Sequence, residues 1–110
     1  GSVAGDRGRA ANYVYGAGKA YLETLCQGLW QRLHGSNVQL TLLKPGPTES
    51  AMTQEMIEAG KKLASPSVVA KAAISALFKG KKVVYAPAPW RIIMLVIRWL
   101  PDSIFNRTKF

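Results

Sequence analysis

Tyr15 and Lys19 lie four residues apart at the start of a long run of apolar residues at helical spacing. Side chains four residues apart share one face of a helix, so the Lys19 ammonium would lie beside the Tyr15 phenol and favour its ionised form. Ser2 precedes the tyrosine by thirteen residues, and a Pro45-Gly46 turn follows the next apolar run. Together these residues can build a proton-donating site.

The elements that must position these residues alternate between helix and strand patterns. Apolar residues at helical spacing from Tyr13 to Leu33 predict a long helix, which His34 and Gly35 end. The run from Val38 to Leu43 predicts a parallel strand. Because proline and glycine stop that strand, residues 44–53 would lie at its carboxyl end, where open α/β sheets bind their ligands.

The remaining elements follow the same alternation. Residues 1–3 predict the tail of a strand and residues 4–12 a loop. Further along, the sequence predicts a short helix at 54–63, an amphipathic helix with Ser65 as N-cap and Pro66 in its first turn, and a last strand at 81–86.

Residues 88–110 form an apolar and basic extension that is predicted to be helical. A helix from Trp90 to Leu100 would be about 16 Å long, about half the ~30 Å of a bilayer core. Tryptophans at its ends, with Arg91 and Arg98 beside them, are typical of a helix that lies in the membrane interface. Packing against a partner subunit, or within the protein core, would use the same apolar pattern.

Composition limits the class of protein further. A chain of 110 residues with 48% hydrophobic content can supply the core of one small domain. Its single cysteine, Cys26, excludes an internal disulfide and is predicted to be buried packing. Its single histidine, His34, has no neighbour at ligand spacing, so we predict no metal site.

The formal charge of +9 is confined to the second half of the chain. Residues 1–60 contain five basic and five acidic side chains, whereas residues 61–110 contain ten basic side chains and one acidic side chain, Asp102. This asymmetry favours an anionic partner. The sequence has no zinc spacing or RNA-binding motif, so an anionic membrane surface or a phosphate-bearing lipid is favoured over specific nucleic-acid binding.

Ser2, the segment 12–20 and the segment 45–50 together resemble the C-terminal half of a short-chain dehydrogenase/reductase. The resemblance implies that Ser2 and Tyr15 hydrogen-bond a substrate carbonyl and that Tyr15 passes the proton. It also implies that Lys19 holds the nicotinamide ribose. The implied cofactor-binding residues are Tyr15, Lys19, Pro45, Gly46, Thr48 and Ser50.

Within that family, the segments 2–9, 12–16, 84–87 and 101–105 are similar to actinobacterial reductases that act on a decaprenylphosphoryl 2-keto-pentose. This implies NADPH rather than NADH as cofactor, and a small or lipid-linked keto-sugar as substrate. A homo-oligomer assembled through the catalytic helix is also implied. The expected location is the cytoplasm, at the inner face of the plasma membrane.

The family's cofactor half begins with a glycine-rich turn between a strand and a helix, and the chain has no such motif. Gly16 and Gly18 lie inside a helix pattern instead. The expected fold is therefore α/β, the C-terminal half of a Rossmann-like doubly wound parallel sheet, with residues 1–110 as one partial domain and the N-terminal cofactor half absent. The alternative is a non-catalytic truncated piece that serves oligomer or membrane-surface binding.

Overall fold

The computed structural model describes residues 1–110 and places helices against a small parallel sheet. The helices are α1 (Tyr13–Leu33), α2 (Gln54–Glu58), α3 (Pro66–Phe78), α4 (Pro89–Trp99) and α5 (Asp102–Phe105), and the strands are β1 (Leu42–Pro45) and β2 (Val83–Ala86). Short 3-10 helices occupy Val3–Gly5 and Ala51–Thr53. The α/β class expected from the sequence is confirmed.

The sheet has two parallel strands, with Leu42 paired with Val83 and Pro45 paired with Ala86. The connection between them contains α2 and α3, as a parallel pair requires. Beyond the last pair, the Gly46 N–H donates to the Ala86 carbonyl at 2.9 Å. This bond fixes the Pro45-Gly46 turn at the carboxyl edge of the sheet, where the sequence predicted it.

The prediction that β1 begins at Val38 was wrong, because the strand begins at Leu42. Side chains hold the preceding segment instead: the Gln39 amide donates to the Leu77 carbonyl at 2.8 Å, and the Thr41 hydroxyl donates to the Lys81 carbonyl at 2.8 Å. A parallel ladder needs a partner backbone at each step, and β2 supplies one only from Val83.

The strand tail predicted at residues 1–3 is also absent. Ser2 has an extended backbone, but its hydroxyl accepts a hydrogen bond from the Ala4 N–H at 3.1 Å and caps the 3-10 helix Val3–Gly5. A serine side chain can compete for backbone donors in this way and turn an extended chain. The chain therefore turns immediately after Ser2.

Most helix ends follow the local signals in the sequence. The Ser65 hydroxyl caps α3 by accepting from the Val68 N–H at 3.4 Å, and Pro66 lies in the first turn. Gly35, at φ +79°, follows α1 in the left-handed conformation that favours glycine. The helix predicted over 54–63 is shorter than expected, since α2 ends at Glu58 and Gly60 turns the chain at φ +82°.

The helix predicted near the C-terminus forms as α4, and it carries apolar residues on two opposite faces. Met94 and Ile97 face inward and pack with Val3, Tyr85 and Phe105. The outward face, which we call the outer stripe, consists of exposed apolar residues at helical spacing: Ile92, Leu95, Val96 and Trp99. None of the helices is long and apolar enough to span a membrane.

Candidate active site

A cavity of about 430 Å³ opens at the carboxyl end of β1. Its wall contains Ser2, Tyr15 and the turn Pro45-Gly46, which come from three separate parts of the chain. Thr48 and Ser50 line the same cavity. The structure thus brings together all the predicted site residues except Lys19 on one wall.

Lys19 lies behind the tyrosine rather than on the cavity wall. Its Nζ is 5.3 Å from the centroid of the Tyr15 ring, one helical turn away on α1. Tyr15 is 47% exposed and lines the cavity. An ammonium at this distance is attracted by the π-face of the ring.

Two glycines allow the Ser2 turn to approach the helix that carries Tyr15. A methyl group added to Gly16 would lie 2.7 Å from the Ala4 carbonyl oxygen. One added to Gly5 would lie 2.9 Å from the Lys19 carbonyl carbon. Because both obstacles are backbone atoms, any larger residue would push α1 away from the serine. The sequence showed Gly16 inside a helix pattern but gave no sign of this close approach.

The segment after the Pro45-Gly46 turn is held by its own hydroxyl groups. The Thr48 hydroxyl donates to the Gly46 carbonyl at 2.9 Å, and the Thr53 hydroxyl donates to the Thr48 carbonyl at 2.7 Å. Ser50 caps the 3-10 helix Ala51–Thr53 in a reciprocal arrangement with Thr53. The Thr48 N–H donates to no group of the chain, so it remains free at the cavity wall.

A buried ion-pair network lies next to the Pro45-Gly46 turn. The Lys44 side chain, the last before the turn, is 2% exposed and contacts Asp6, whose side chain is fully buried. Its Nζ also lies 3.0 Å from a Glu23 carboxylate oxygen and 3.1 Å from the Tyr85 hydroxyl. The Tyr85 hydroxyl in turn donates to Asp6 at 2.6 Å. The network therefore joins the Ser2 loop, α1 and both strands.

The network changes the protonation of two of its members. Burial by itself lowers the pKa of Lys44, but hydrogen bonds to Asp6, Tyr85 and Glu23 outweigh it, and the pKa is raised above its ordinary value. Burial raises the pKa of the Tyr85 phenol, and its hydrogen bond to Asp6 adds to that increase. Lys44 is thus held as an ammonium and Tyr85 as a neutral phenol.

Arg7 anchors the other side of the loop that follows Ser2. Its guanidinium donates to the Ile97 carbonyl at 2.7 Å and to the Leu100 carbonyl at 2.5 Å. Carbonyl groups at the end of a helix such as α4 have no partner within the helix. The guanidinium also pairs with Asp102 at 2.6 Å and stacks on the Phe105 ring at 3.9 Å. Two successive residues, Asp6 and Arg7, therefore tie the loop to the sheet and to the C-terminal helices.

Asn12 is a further cavity residue that the sequence reading did not assign to the site. It precedes α1, lines the cavity, and its side-chain oxygen is buried without a hydrogen-bond donor. That oxygen can accept a hydrogen bond from a ligand hydroxyl or amide. The only sign of this role in the sequence was the position of Asn12, directly before the predicted helix and close to Tyr15.

No group of three or more histidine, cysteine, aspartate or glutamate side chains converges on a point that could hold a metal ion. Cys26 is buried in α1, as predicted for a packing residue. The polar groups around the cavity are hydroxyls, a phenol, an amide and guanidiniums. Such groups can hydrogen-bond a carbonyl compound, and the phenol can exchange a proton with it.

Comparisons with known proteins also point to the oxidoreductases. The short chain dehydrogenase family matches residues 1–61. An uncharacterized oxidoreductase of Mycobacterium tuberculosis is 42% identical over 106 residues, which is 96% of this chain and 42% of that protein. An uncharacterized oxidoreductase of Streptomyces coelicolor is 33% identical over 106 residues, covering 96% of this chain and 41% of that protein. No solved structure matches.

The parallel α/β architecture, with a serine and a tyrosine in a cavity at the carboxyl edge of the sheet, is consistent with part of a Rossmann-like fold. The chain belongs to the short-chain dehydrogenase family. It spans about 42% of the length of the first of these curated relatives. Proteins of this family generally use NAD or NADP.

Proposed function

We propose that this chain forms the catalytic part of an NADPH-dependent reductase that converts a keto-sugar, carried on a polyprenyl phosphate, to the corresponding alcohol. The observation that carries the proposal is the shared cavity, in which Ser2 and Tyr15 face the Pro45-Gly46 turn while Lys19 lies behind the phenol. NADPH is proposed in preference to NADH on the expectation, drawn from the sequence alone, that the protein belongs to a reductive branch of the family.

The proposed roles follow from the chemistry of each group. The Ser2 and Tyr15 hydroxyls donate hydrogen bonds to the substrate carbonyl oxygen, which polarises the carbonyl carbon. A nicotinamide cofactor, when bound, would supply the hydride. Tyr15 then delivers its phenolic proton to the alkoxide oxygen, and the Lys19 ammonium stabilises the phenolate that remains.

Residues at the carboxyl edge of the sheet fit the nicotinamide end of the cofactor. The free Thr48 N–H can donate to the carboxamide oxygen, and the Ser50 hydroxyl lines the same wall. Pro45 and Gly46 form the turn on which the ring would rest. Lys19 is assigned to the ribose hydroxyls.

Isotope transfer tests this proposal in the full-length protein. With 4,4-dideuterated NADPH and a polyprenylphosphoryl 2-keto-pentose, we expect deuterium at C2 of the pentose by mass spectrometry. We expect kcat/KM with NADPH to exceed that with NADH by about tenfold or more. If a folded protein transfers deuterium from neither cofactor, the non-catalytic binding alternative replaces the reductase.

The outer stripe of α4 is proposed to rest on an anionic membrane surface, at the cytoplasmic face where a polyprenyl phosphate substrate would be presented. Leu95 and Trp99 are 57% and 79% exposed, and Arg91 and Arg98 flank the stripe. The excess of basic residues after position 60 complements anionic lipid headgroups. This arrangement is typical of a helix that lies in the interface plane.

Vesicle sedimentation tests the membrane proposal. We expect the full-length protein to bind phosphatidylglycerol vesicles at low salt, to bind phosphatidylcholine vesicles weakly, and to lose binding when Leu95→Glu and Trp99→Glu are combined. The matched control is Ile74→Glu with Leu77→Glu, which adds the same charge at exposed apolar positions of α3. Equal loss in both variants, or an altered oligomer mass in the first, would assign the stripe to another role.

We also propose that the protein forms a homo-oligomer in which α1 contacts a second subunit. Only Gly16 and Cys26 of this helix are buried, whereas Val14, Tyr21 and Leu25 are largely exposed. An exposed apolar helix face of this extent favours a second protein surface.

A further inference from the structure

We infer that Arg9 forms an anion-binding subsite at the active-site cavity and recognises the phosphate group of an amphiphilic phosphate monoester or diester. This inference rests on the proposed function, because it names the part of the substrate that Arg9 binds. The distribution of charge around the cavity, which the resemblance to the family did not predict, also supports the subsite.

The charged side chains that line the cavity are all basic. They are Arg7 and Arg9, and no aspartate or glutamate lines the cavity. In a cavity of this kind an anionic ligand is attracted and an ammonium-bearing ligand is repelled. The charge of the wall therefore selects an anion.

Only one of the two arginines is free to serve a ligand. Arg7 is engaged by the Ile97 and Leu100 carbonyls and by Asp102, and its side chain is 15% exposed. The Arg9 side chain makes no hydrogen bond or ion pair within the chain, and its guanidinium lies 5.1 Å from the centroid of the Phe110 ring. Stacking on an aromatic ring restrains a guanidinium while leaving its N–H donors exposed.

The apolar lining of the cavity also indicates what the anion is attached to. Met52, Met56, Trp90 and Met94 line the same cavity as Arg9. Flexible methionines adapt to irregular hydrocarbon chains. One ligand could then contact the cavity at three places. Its phosphate would bind Arg9, its apolar chain would lie along the methionines, and its carbonyl would bind Ser2 and Tyr15.

Calorimetric titration of the full-length protein tests the subsite. The probes are geranyl phosphate, geraniol and inorganic phosphate, each added with saturating NADPH. We expect geranyl phosphate to bind at least about tenfold more tightly than geraniol, and Arg9→Gln to remove about 10- to 100-fold of geranyl phosphate affinity while leaving geraniol unchanged. Arg9→Lys should retain part of the affinity, since it keeps the charge but loses the bidentate fork.

The matched control is Arg32→Gln, which removes the same charge from an exposed position outside the cavity. It should leave geranyl phosphate affinity within about twofold of the parent. Equal losses in the two variants would mean that overall charge attracts the probe and would overturn the subsite. So would tight binding of inorganic phosphate alone, or a loss of NADPH affinity in Arg9→Gln, which would assign the arginine to the cofactor.

Failure of this inference is distinguishable from failure of the reductase proposal. Geranyl phosphate carries no ketone, so its affinity depends on the subsite and not on proton transfer. If deuterium transfer fails while Arg9→Gln still weakens geranyl phosphate selectively, the subsite stands and the reductase assignment falls. If deuterium transfer succeeds and the phosphate has no effect on binding, the reductase stands and Arg9 has no role in recognition.

Discussion

Replacing Tyr15 with phenylalanine in the full-length protein is expected to lower kcat by about 10² to 10⁴-fold, because the phenol is the only acid that the cavity offers to the carbonyl oxygen. Neither Ser2 nor Asn12 can release a proton comparably near neutral pH. The ring would remain, so its contact with Lys19 and the shape of the cavity should persist. Steady-state rates measure the loss, and a separate NADPH titration should give an affinity within about threefold of the parent.

Tyr13→Phe is the matched control for that experiment. Tyr13 lies on the same helix, is 65% exposed and does not line the cavity. It should retain nearly all of the parent activity. A Tyr15→Phe enzyme within tenfold of the parent rate would mean that another group donates the proton, and the assignment of Tyr15 would be abandoned.

Helices were the part of the fold that local sequence signals predicted best. Apolar periodicity gave α1 its bounds, and capping residues gave the start of α3, because both effects act between residues within a few positions of one another. The same holds for α4, whose proline at the start and apolar spacing are both local. In these three helices, the local sequence preference and the tertiary packing favour the same structure.

Strand bounds were less predictable, since a strand exists only where a partner backbone lies beside it. Val38 to Thr41 has strand-like composition, yet Gln39 and Thr41 are held by side-chain hydrogen bonds to the connection around Leu77 and Lys81. The turn at Ser2 also depends on one side-chain hydrogen bond that replaces extended backbone. In both cases the deciding partner was not visible in the local pattern.

The candidate site likewise combines residues that the local sequence predicted with contacts that it did not. Tyr15 and Lys19 follow from helical geometry, and the Pro45-Gly46 turn follows from strand termination. The supporting contacts could not be predicted, because Asp6 meets Tyr85 across 79 positions and Lys44 meets it across 41. A lone charge in an apolar strand, Lys44, was the one available signal that a buried partner must exist.

The buried network around Lys44 determines how stability changes at alkaline pH. The pKa of Lys44 is raised above its ordinary value of 10.5 and that of Tyr85 above 10.0, so the folded protein holds these protons more tightly than the unfolded chain. The stability that they contribute is therefore present below the unfolded values and is lost as the pH rises through the folded values. The loss should occur above about pH 10.

Lys44→Met is expected to reduce the free energy of unfolding of the full-length protein by about 3 to 5 kcal/mol at pH 7. The methionine fills a similar volume, but it leaves the Asp6 carboxylate, which is fully buried, without its cation. The ion pair also joins the Ser2 loop to β1, so the loop loses its attachment to the sheet. Urea denaturation at pH 7 measures the loss, and repeating it above pH 10 should give a weaker alkaline dependence than in the parent.

Two further variants separate the buried charge from a general effect of the substitution. Lys71→Met removes an exposed lysine of α3 and should change the free energy of unfolding by no more than about 0.5 kcal/mol. Combining Lys44→Met with Asp6→Leu removes both charges, and it should recover most of the stability because an apolar pair avoids the desolvation of either ion. If the single variant is as stable as Lys71→Met, or if the double variant is no better than the single one, the unpaired Asp6 carboxylate is not the source of the destabilisation. The stability of the Ser2 loop would then depend on Arg7 and its contacts with the end of α4.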